Sequence, residues 1–333
     1  MPASLRTKFL FSLLFGVAVV VALSLYADVA KLSAALGSFR WELLPAILGL
    51  TLLNYTLRFL KWHYYLGQIG VRSLSVWFSI AIFFSGLAMV VTPGKVGEWL
   101  KSYLLREHTG TPFFRSAPVI IAERLTDGLA MVLLASGGLV LFHVGWQLVL
   151  LVLLLTFAVL VVAWTPPLAE AVFSVVARVP WLAGRTAYLR EFYASSRTIF
   201  GPKNLLLGVG LGFVSWSGEC FAYYLVLVGL GQPESAVLVV QAAFILAVAS
   251  LGGSLLLLPG GLGVAEGGIT GMAQFLVGMP KELAATSALL IRVSTLWFGV
   301  SLGLAMLLVT TRRLPSHKQS AWLADGSQAP EQP

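Results

Sequence analysis

Charge is what this chain has least of. Of its 333 residues only 11% are Asp, Glu, Lys or Arg, while 58% are hydrophobic. A soluble fold of this length has too much surface to cover with so few polar side chains. The composition therefore excludes a soluble domain and predicts a polytopic membrane protein. Cysteine is almost missing as well. Cys220 stands alone, which rules out an intrachain disulfide and any cysteine-based metal signature. His63, His108, His143 and His317 lie apart, without the spacing of a metal site, and read as interfacial residues. No nucleophile–base set, Walker loop or dinucleotide fingerprint occurs, which argues against an enzyme and against an ATP-driven pump. No cofactor is expected. The net charge of +8 comes from bases scattered among apolar segments. That pattern suits a cytoplasmic membrane face beside anionic lipid, not a nucleic-acid-binding domain.

What is present is a series of apolar segments, at 9–27, 43–60, 76–92, 117–144, 146–165, 205–230, 236–258 and 283–311. Each has about the 17–25 residues that a helical crossing requires. The first is long for a signal peptide and no clear A-x-A site follows, so it reads as an uncleaved span. Between 166 and 204 runs a more polar connector carrying Arg178, Arg185, Arg190, Arg197 and Lys203 on amphipathic helical spacing, predicted to lie at the cytoplasmic membrane interface and to join two halves. The residues from Arg312 onward are rich in Pro, Ser, Gln and charge, a disordered tail by composition. The aromatic residues of "FLKWHYYLG" read as an interfacial belt.

The bases also constrain topology. Arg6 and Lys8 place the N-terminus inside, and two crossings return the loop with Lys61 and Arg72 to the same side. A full crossing by 76–92 would then put Lys95, Lys101, Arg106, Arg115 and the basic connector outside, against the positive-inside bias. If the segment instead turns at "TPGKVG" and goes back, both basic regions stay inside. The same device at 236–279 keeps Arg312, Arg313 and Lys318 inside. The expected architecture is all-α, with about six full spans plus two re-entrant helical hairpins. A first membrane half, 1–165, carries a hairpin near 76–107. The connector 166–204 leads to a second half, 205–311, with a hairpin near 236–279, followed by a cytoplasmic tail at 312–333.

The two hairpins resemble each other. "TPGKVGE" at Thr92–Glu98 matches "LPGGLGVAE" at Leu258–Glu266 with two extra residues in the second tip. Glu98 precedes Arg124 by 26 positions, and Glu266 precedes Arg292 by 26. Gly86 and Gly252 each stand seven residues before their proline. Two inverted halves, each with a broken helix at mid-depth, are an arrangement used by secondary transporters. Candidate binding residues are thus Pro93, Gly94, Lys95, Gly97, Glu98 and Arg124 in the first half, with Pro259, Gly260, Gly261, Gly263, Glu266 and Arg292 in the second. The glycines are expected to leave amides free for an anion such as a lipid phosphate, or else simply to permit a tight turn. The arginines are expected to neutralise Glu98 and Glu266, as structural pairs or as a gate. Glu123 and Asp127, four apart on one helix face, are further gating or structural pairs. Ser217, Glu219 and Cys220 lie inside one segment, where Glu219 is given a hydrogen-bonded structural role.

Taken together, "PGKVGEWLK", the "ER" of "AERLTDG", "LPGGLGVAEGG" and "LLIRVSTLW" resemble the lysylphosphatidylglycerol synthase/flippase transmembrane family, also called the flippase-like domain or UPF0104 family. The resemblance runs from about residue 10 to 311 and implies a multi-pass protein of a prokaryotic plasma membrane that moves lipids between leaflets. It implies anionic, aminoacylated or polyprenyl-phosphate-linked lipids as partners. Long members carry a soluble aminoacyl-transferase domain after the membrane region, and no counterpart is read here. Three other readings stay open at this point: a non-catalytic partner subunit of a lipid or glycan biosynthetic enzyme, an intramembrane lipid-modifying enzyme, and a secondary transporter of a small solute. A homodimer is compatible with each.

Overall fold

The computed structural model describes residues 3–72, 74–92, 98–177, 186–256 and 258–313. Pro93, Gly94, Lys95, Gly97, Arg178, Arg185 and the tail from 314 lie outside the described residues. Among those described, every regular element is helical, because a backbone in lipid must satisfy its own N–H and C=O groups. In chain order the helices are α1 Ala3–Ala27, α2 Val29–Ser38, α3 Leu44–Gln68, α4 Val76–Leu87, α5 Leu100–Thr109, α6 Phe113–Phe142, α7 Trp146–Trp164 and α8 Pro166–Ala177. They continue as α9 Thr186–Ile199, α10 Pro202–Gly229, α11 Ala236–Leu255, α12 Val264–Met272, α13 Lys281–Arg292 and α14 Phe298–Arg313. Six stretches are long and apolar enough to cross a membrane: Trp41–Gln68, Phe113–Phe142, Trp146–Trp164, Pro202–Gly229, Ala236–Leu255 and Lys281–Thr310. The protein is an all-α, multi-pass membrane protein.

The first expected span is part of a bent pair. Asp28 adopts φ 70° and its carboxylate accepts from the Ala30 amide at 3.0 Å, and α2 leaves α1 at 95°. Leu32 of α2 packs with Ala27 and Ala285, with Leu36 and Leu289 against them, so the turn is held by a small apolar contact. Helix α4 has only 12 residues. At 1.5 Å per residue that is about 18 Å, too short for a hydrocarbon core of about 30 Å.

Helices α4 and α5 run antiparallel. The Phe78 and His108 rings stack at 3.7 Å at the open end, and Gly86 packs on the Lys101 side chain nearer the turn. Helices α11 and α12 do the same. Gln241 Nε2 donates to the Leu276 carbonyl at 2.6 Å near the open end, and Gly253 lies against Gly261 at the turn. Each pair has its own core. Phe59, Trp62, Tyr65, Phe83, Leu105 and Ile120 surround the first. Tyr223, Leu227, Ile245, Ile269 and Ile291 surround the second. The breaks touch one another, because the Gly260 amide donates to the Val90 carbonyl at 3.1 Å. Gly303 of α14 sits so close to the end of α4 that a Cβ there would lie 2.3 Å from Ala88 N, the close backbone approach that small residues allow between membrane helices.

Several expectations need correction. Trp62 and Tyr65 are fully buried, so these two aromatics of "FLKWHYYLG" are core and not an interfacial belt. Lys61, 1% exposed, lies within α3 and not in a loop, and Lys101 is buried as well. Both bases are neutralised inside the protein and carry no topological information. His63 bonds Ser79 Oγ at 2.9 Å and His108 is covered by Phe78, so both have partners within the fold.

Candidate functional site

The 26-residue spacing becomes contact in both halves. Glu98 precedes α5, and Arg124 on α6 reaches it with a fork. Nε donates to Oε2 at 2.6 Å and Nη2 donates to Oε1. Glu266 stands in the first turn of α12, where its Oε2 caps the Gly263 amide at 2.7 Å. Its Oε1 accepts from Arg292 Nε at 2.6 Å. Arg292 spends its other branch differently, since Nη2 donates to the Gly260 carbonyl at 2.5 Å. Thus Arg124 answers one carboxylate twice, while Arg292 bridges a carboxylate and the backbone of the break. Arg292 ends α13, and a π-helical turn, Val293–Trp297, follows at once. Tyr55 donates to the Thr295 carbonyl in that turn at 2.6 Å. Such turns in membrane helices are held by side chains that satisfy the displaced carbonyls.

These groups surround one cavity of about 120 Å³. Glu98, Arg124, Gly260, Gly261 and Arg292 line it. Pro259, Gly263 and Glu266 do not line it. Glu266, 2% exposed, sits behind Arg292. Pro93, Gly94, Lys95 and Gly97 fall outside the described residues.

The expected backbone nest does not form at the second break. Gly260 donates to Val90, Gly261 to Leu258, Leu262 to Pro259 and Gly263 to Glu266, so these four amides are all engaged. Gly260, Gly261 and Gly263 have φ of 57°, 69° and 83°. The glycines serve left-handed backbone in a turn, and positive charge at the cavity comes from arginine side chains.

Glu123 and Asp127 have other partners. Lys101 Nζ reaches Glu123 Oε2 at 2.5 Å and lies over the Trp62 and Phe83 rings. Lys61 pairs with Asp127, whose other oxygen faces Arg58 Nε at 3.6 Å. Sequence reasoning missed Arg58 and Tyr55 of α3 and Trp216 of α10, which also line the cavity. For Arg58 a signal existed, because an arginine within an apolar span is costly unless it has a purpose. Nothing in the sequence singled out Tyr55 or Trp216. Glu219 lines the cavity too, and it forms no hydrogen bond or ion pair among the described residues, contrary to the hydrogen-bonded role expected of it.

The lysylphosphatidylglycerol synthase TM region matches residues 12–303. A UPF0104 membrane protein of Methanothermobacter thermautotrophicus is 24% identical over 325 residues, covering 90% of this chain and 92% of that protein. A second match to a UPF0104 membrane protein of that organism is 26% identical over 232 residues, covering 63% of this chain and 67% of the relative. The glycosyltransferase AglD of Haloferax volcanii is 26% identical over 143 residues, which cover 40% of this chain and 23% of that protein.

Proposed function

This chain belongs to the lysylphosphatidylglycerol synthase TM-region family, and from that premise we propose that it moves a polar-headed, phosphate-bearing lipid between leaflets without hydrolysing ATP. One observation carries the reading. Two helix breaks, each with a glutamate–arginine pair 26 residues apart, meet by a hydrogen bond at a single cavity lined by Arg58, Arg124 and Arg292. Non-helical backbone at membrane depth is tolerated where it is buried in protein or lines a polar cavity, and paired broken helices are a transporter device. We read the hairpins as re-entrant and the halves as an inverted repeat, with both termini cytoplasmic in a prokaryotic plasma membrane. The headgroup phosphate would face the arginines while the tails stay in the bilayer. Glu98 and Glu266 would hold Arg124 and Arg292 in place between passages.

The test uses purified protein in liposomes carrying headgroup-labelled anionic, aminoacylated and polyprenyl-phosphate lipids. Faster exposure of one headgroup class at the opposite leaflet, lost in a folded Glu98→Gln/Glu266→Gln variant, is the expected result. No acceleration for any class, with folding and orientation verified, refutes it.

The relative named as a glycosyltransferase favours a second reading, a non-catalytic membrane partner of a separate glycan or lipid enzyme. That role would survive Glu98→Gln/Glu266→Gln, because it uses the outer surface and not the central charges.

A further inference from the structure

The carboxylates buried between these helices fall into two kinds. Glu98, Glu123, Asp127 and Glu266 each have a cation within ion-pair distance. Glu219 is 8% exposed and lines the central cavity, yet among the described residues it forms neither an ion pair nor a hydrogen bond. A carboxylate in that position is unfavourable as a bare anion. It needs a ligand, a counter-charge or a proton.

The ionisable groups on the elements packed against α10 decide among these. Helix α3 brings Tyr55, Arg58 and Lys61, and α6 brings Glu123, Arg124 and Asp127. Helix α13 brings Arg292, whereas α11 has no ionisable residue at all. Glu42 lies in the turn that packs at the Gly229 end of α10, ten residues from Glu219. Lys101 and Glu123 cancel, as do Arg40 and Glu42, and Arg124 and Arg292 bring their partners Glu98 and Glu266 into the set. Of the remainder, Arg58, Lys61, Arg124 and Arg292 are four cations, and Asp127, Glu98 and Glu266 are three anions. Ionised Glu219 makes the described set neutral, and protonated Glu219 leaves it at one positive charge. Arg58 is the least committed cation. It is 3.6 Å from Asp127 and lies 5.9 Å from the centroid of Trp216, three residues before Glu219.

We propose that Glu219 is a proton switch for this cavity, so that an anionic headgroup and a proton on Glu219 enter together and leave together. The inference rests on the lipid-phosphate reading above. The proton comes from water on the loading side and passes to a Glu219 carboxylate oxygen. With Glu219 neutral, Arg58 and its neighbours carry the single positive charge that an anion balances. Loss of the proton on the other side restores neutrality and expels the anion. Neither ion is favoured in the cavity alone, which makes uptake obligatorily coupled.

The probe is dihexanoylphosphatidylglycerol, a short-chain phosphodiester whose own charge is constant from about pH 5.5 to about 8.5. Glycerophosphoglycerol, the same headgroup without tails, is the second arm. Binding is measured on the purified full chain, with thermal melting of each variant as the folding check. In wild type the affinity is expected to weaken by up to tenfold per pH unit as pH rises, with about one proton taken up per probe bound. Glu219→Gln should hold the tight, low-pH affinity at every pH and take up no proton. Glu219→Asp should keep a pH slope. Binding of the lipid alone marks a lipid site and equal binding of both arms marks a phosphate-ester site. Either supports the switch if the slope follows Glu219. A pH-independent wild type, or a Glu219→Gln variant with the wild-type slope, overturns the switch and leaves lipid movement standing. Binding of neither probe at any pH overturns the switch too, while the vesicle assay decides lipid movement separately.

Discussion

Asp127 offers the sharpest energetic test. It is 3% exposed and answers two cations, Lys61, itself 1% exposed, and Arg58 at 3.6 Å. Asp127→Asn leaves both cations buried beside a neutral amide. Removing one member of a buried ion pair typically costs about 3–5 kcal/mol, since the partner's charge stays desolvated. For a chain of 333 residues that corresponds to a fall of roughly 4–7 °C in thermal midpoint. Lys61→Met should cost less, because Arg58 remains to balance Asp127. Lys61→Met/Asp127→Asn removes both charges of that pair and leaves only Arg58 without its carboxylate, and removing both members of a buried pair costs less than removing one. The double variant should therefore lose less than Asp127→Asn alone, with a coupling energy of about 2 kcal/mol or more. The assay is unfolding by SDS titration or by heat in one detergent, for wild type, both single variants and the double variant. Strictly additive effects, or a Lys61→Met loss at least as large as that of Asp127→Asn, would refute the idea that one carboxylate serves two cations.

Gly303→Ala should destabilise strongly, since the new Cβ would lie 2.3 Å from Ala88 N and 2.7 Å from Phe84 O. Gly210→Ala meets nothing within 4 Å and should stabilise slightly, by about 0.4–1 kcal/mol through the unfolded state; thermal melts compare the two. Gly260→Ala forces a side chain onto φ 57° and towards Val91 Cγ1 at 3.3 Å, so it should reduce lipid movement in vesicles and lower the melting midpoint by about 1–2 kcal/mol equivalent. Arg292→Lys keeps the charge but cannot bond Glu266 and the Gly260 carbonyl with one planar fork, and transport should fall with little loss of folding. Cys220 is the sole thiol and is 5% exposed; a maleimide should leave it unlabelled until the protein is unfolded in SDS.

The fold class could be read from composition, because lipid imposes its demand on every residue of a span. The two glutamate–arginine pairs were legible for a different reason. They repeat at one spacing, and a repeat is visible without coordinates. Lys61 and Lys101 were misread, since a base in sequence does not reveal whether its neighbour is water or a carboxylate 66 or 22 residues away. The aromatics Trp62 and Tyr65 misled in the same way, as belt and core residues are alike in composition. The glycine amides at 260–263 failed as a nest because their partners are set by the turn itself, one of them by Val90 in the other half of the chain.

That last bond, from the Gly260 amide to the Val90 carbonyl, is made wholly of main chain. Side-chain contacts drift as residues are exchanged, but every residue except proline supplies both atoms of this one. Substitution of the side chains around the cavity can therefore alter its lining without unfastening the two breaks from each other. The side chains that line the cavity and the bond that joins the halves are written in different atoms, so the lining can vary while the junction stays the same.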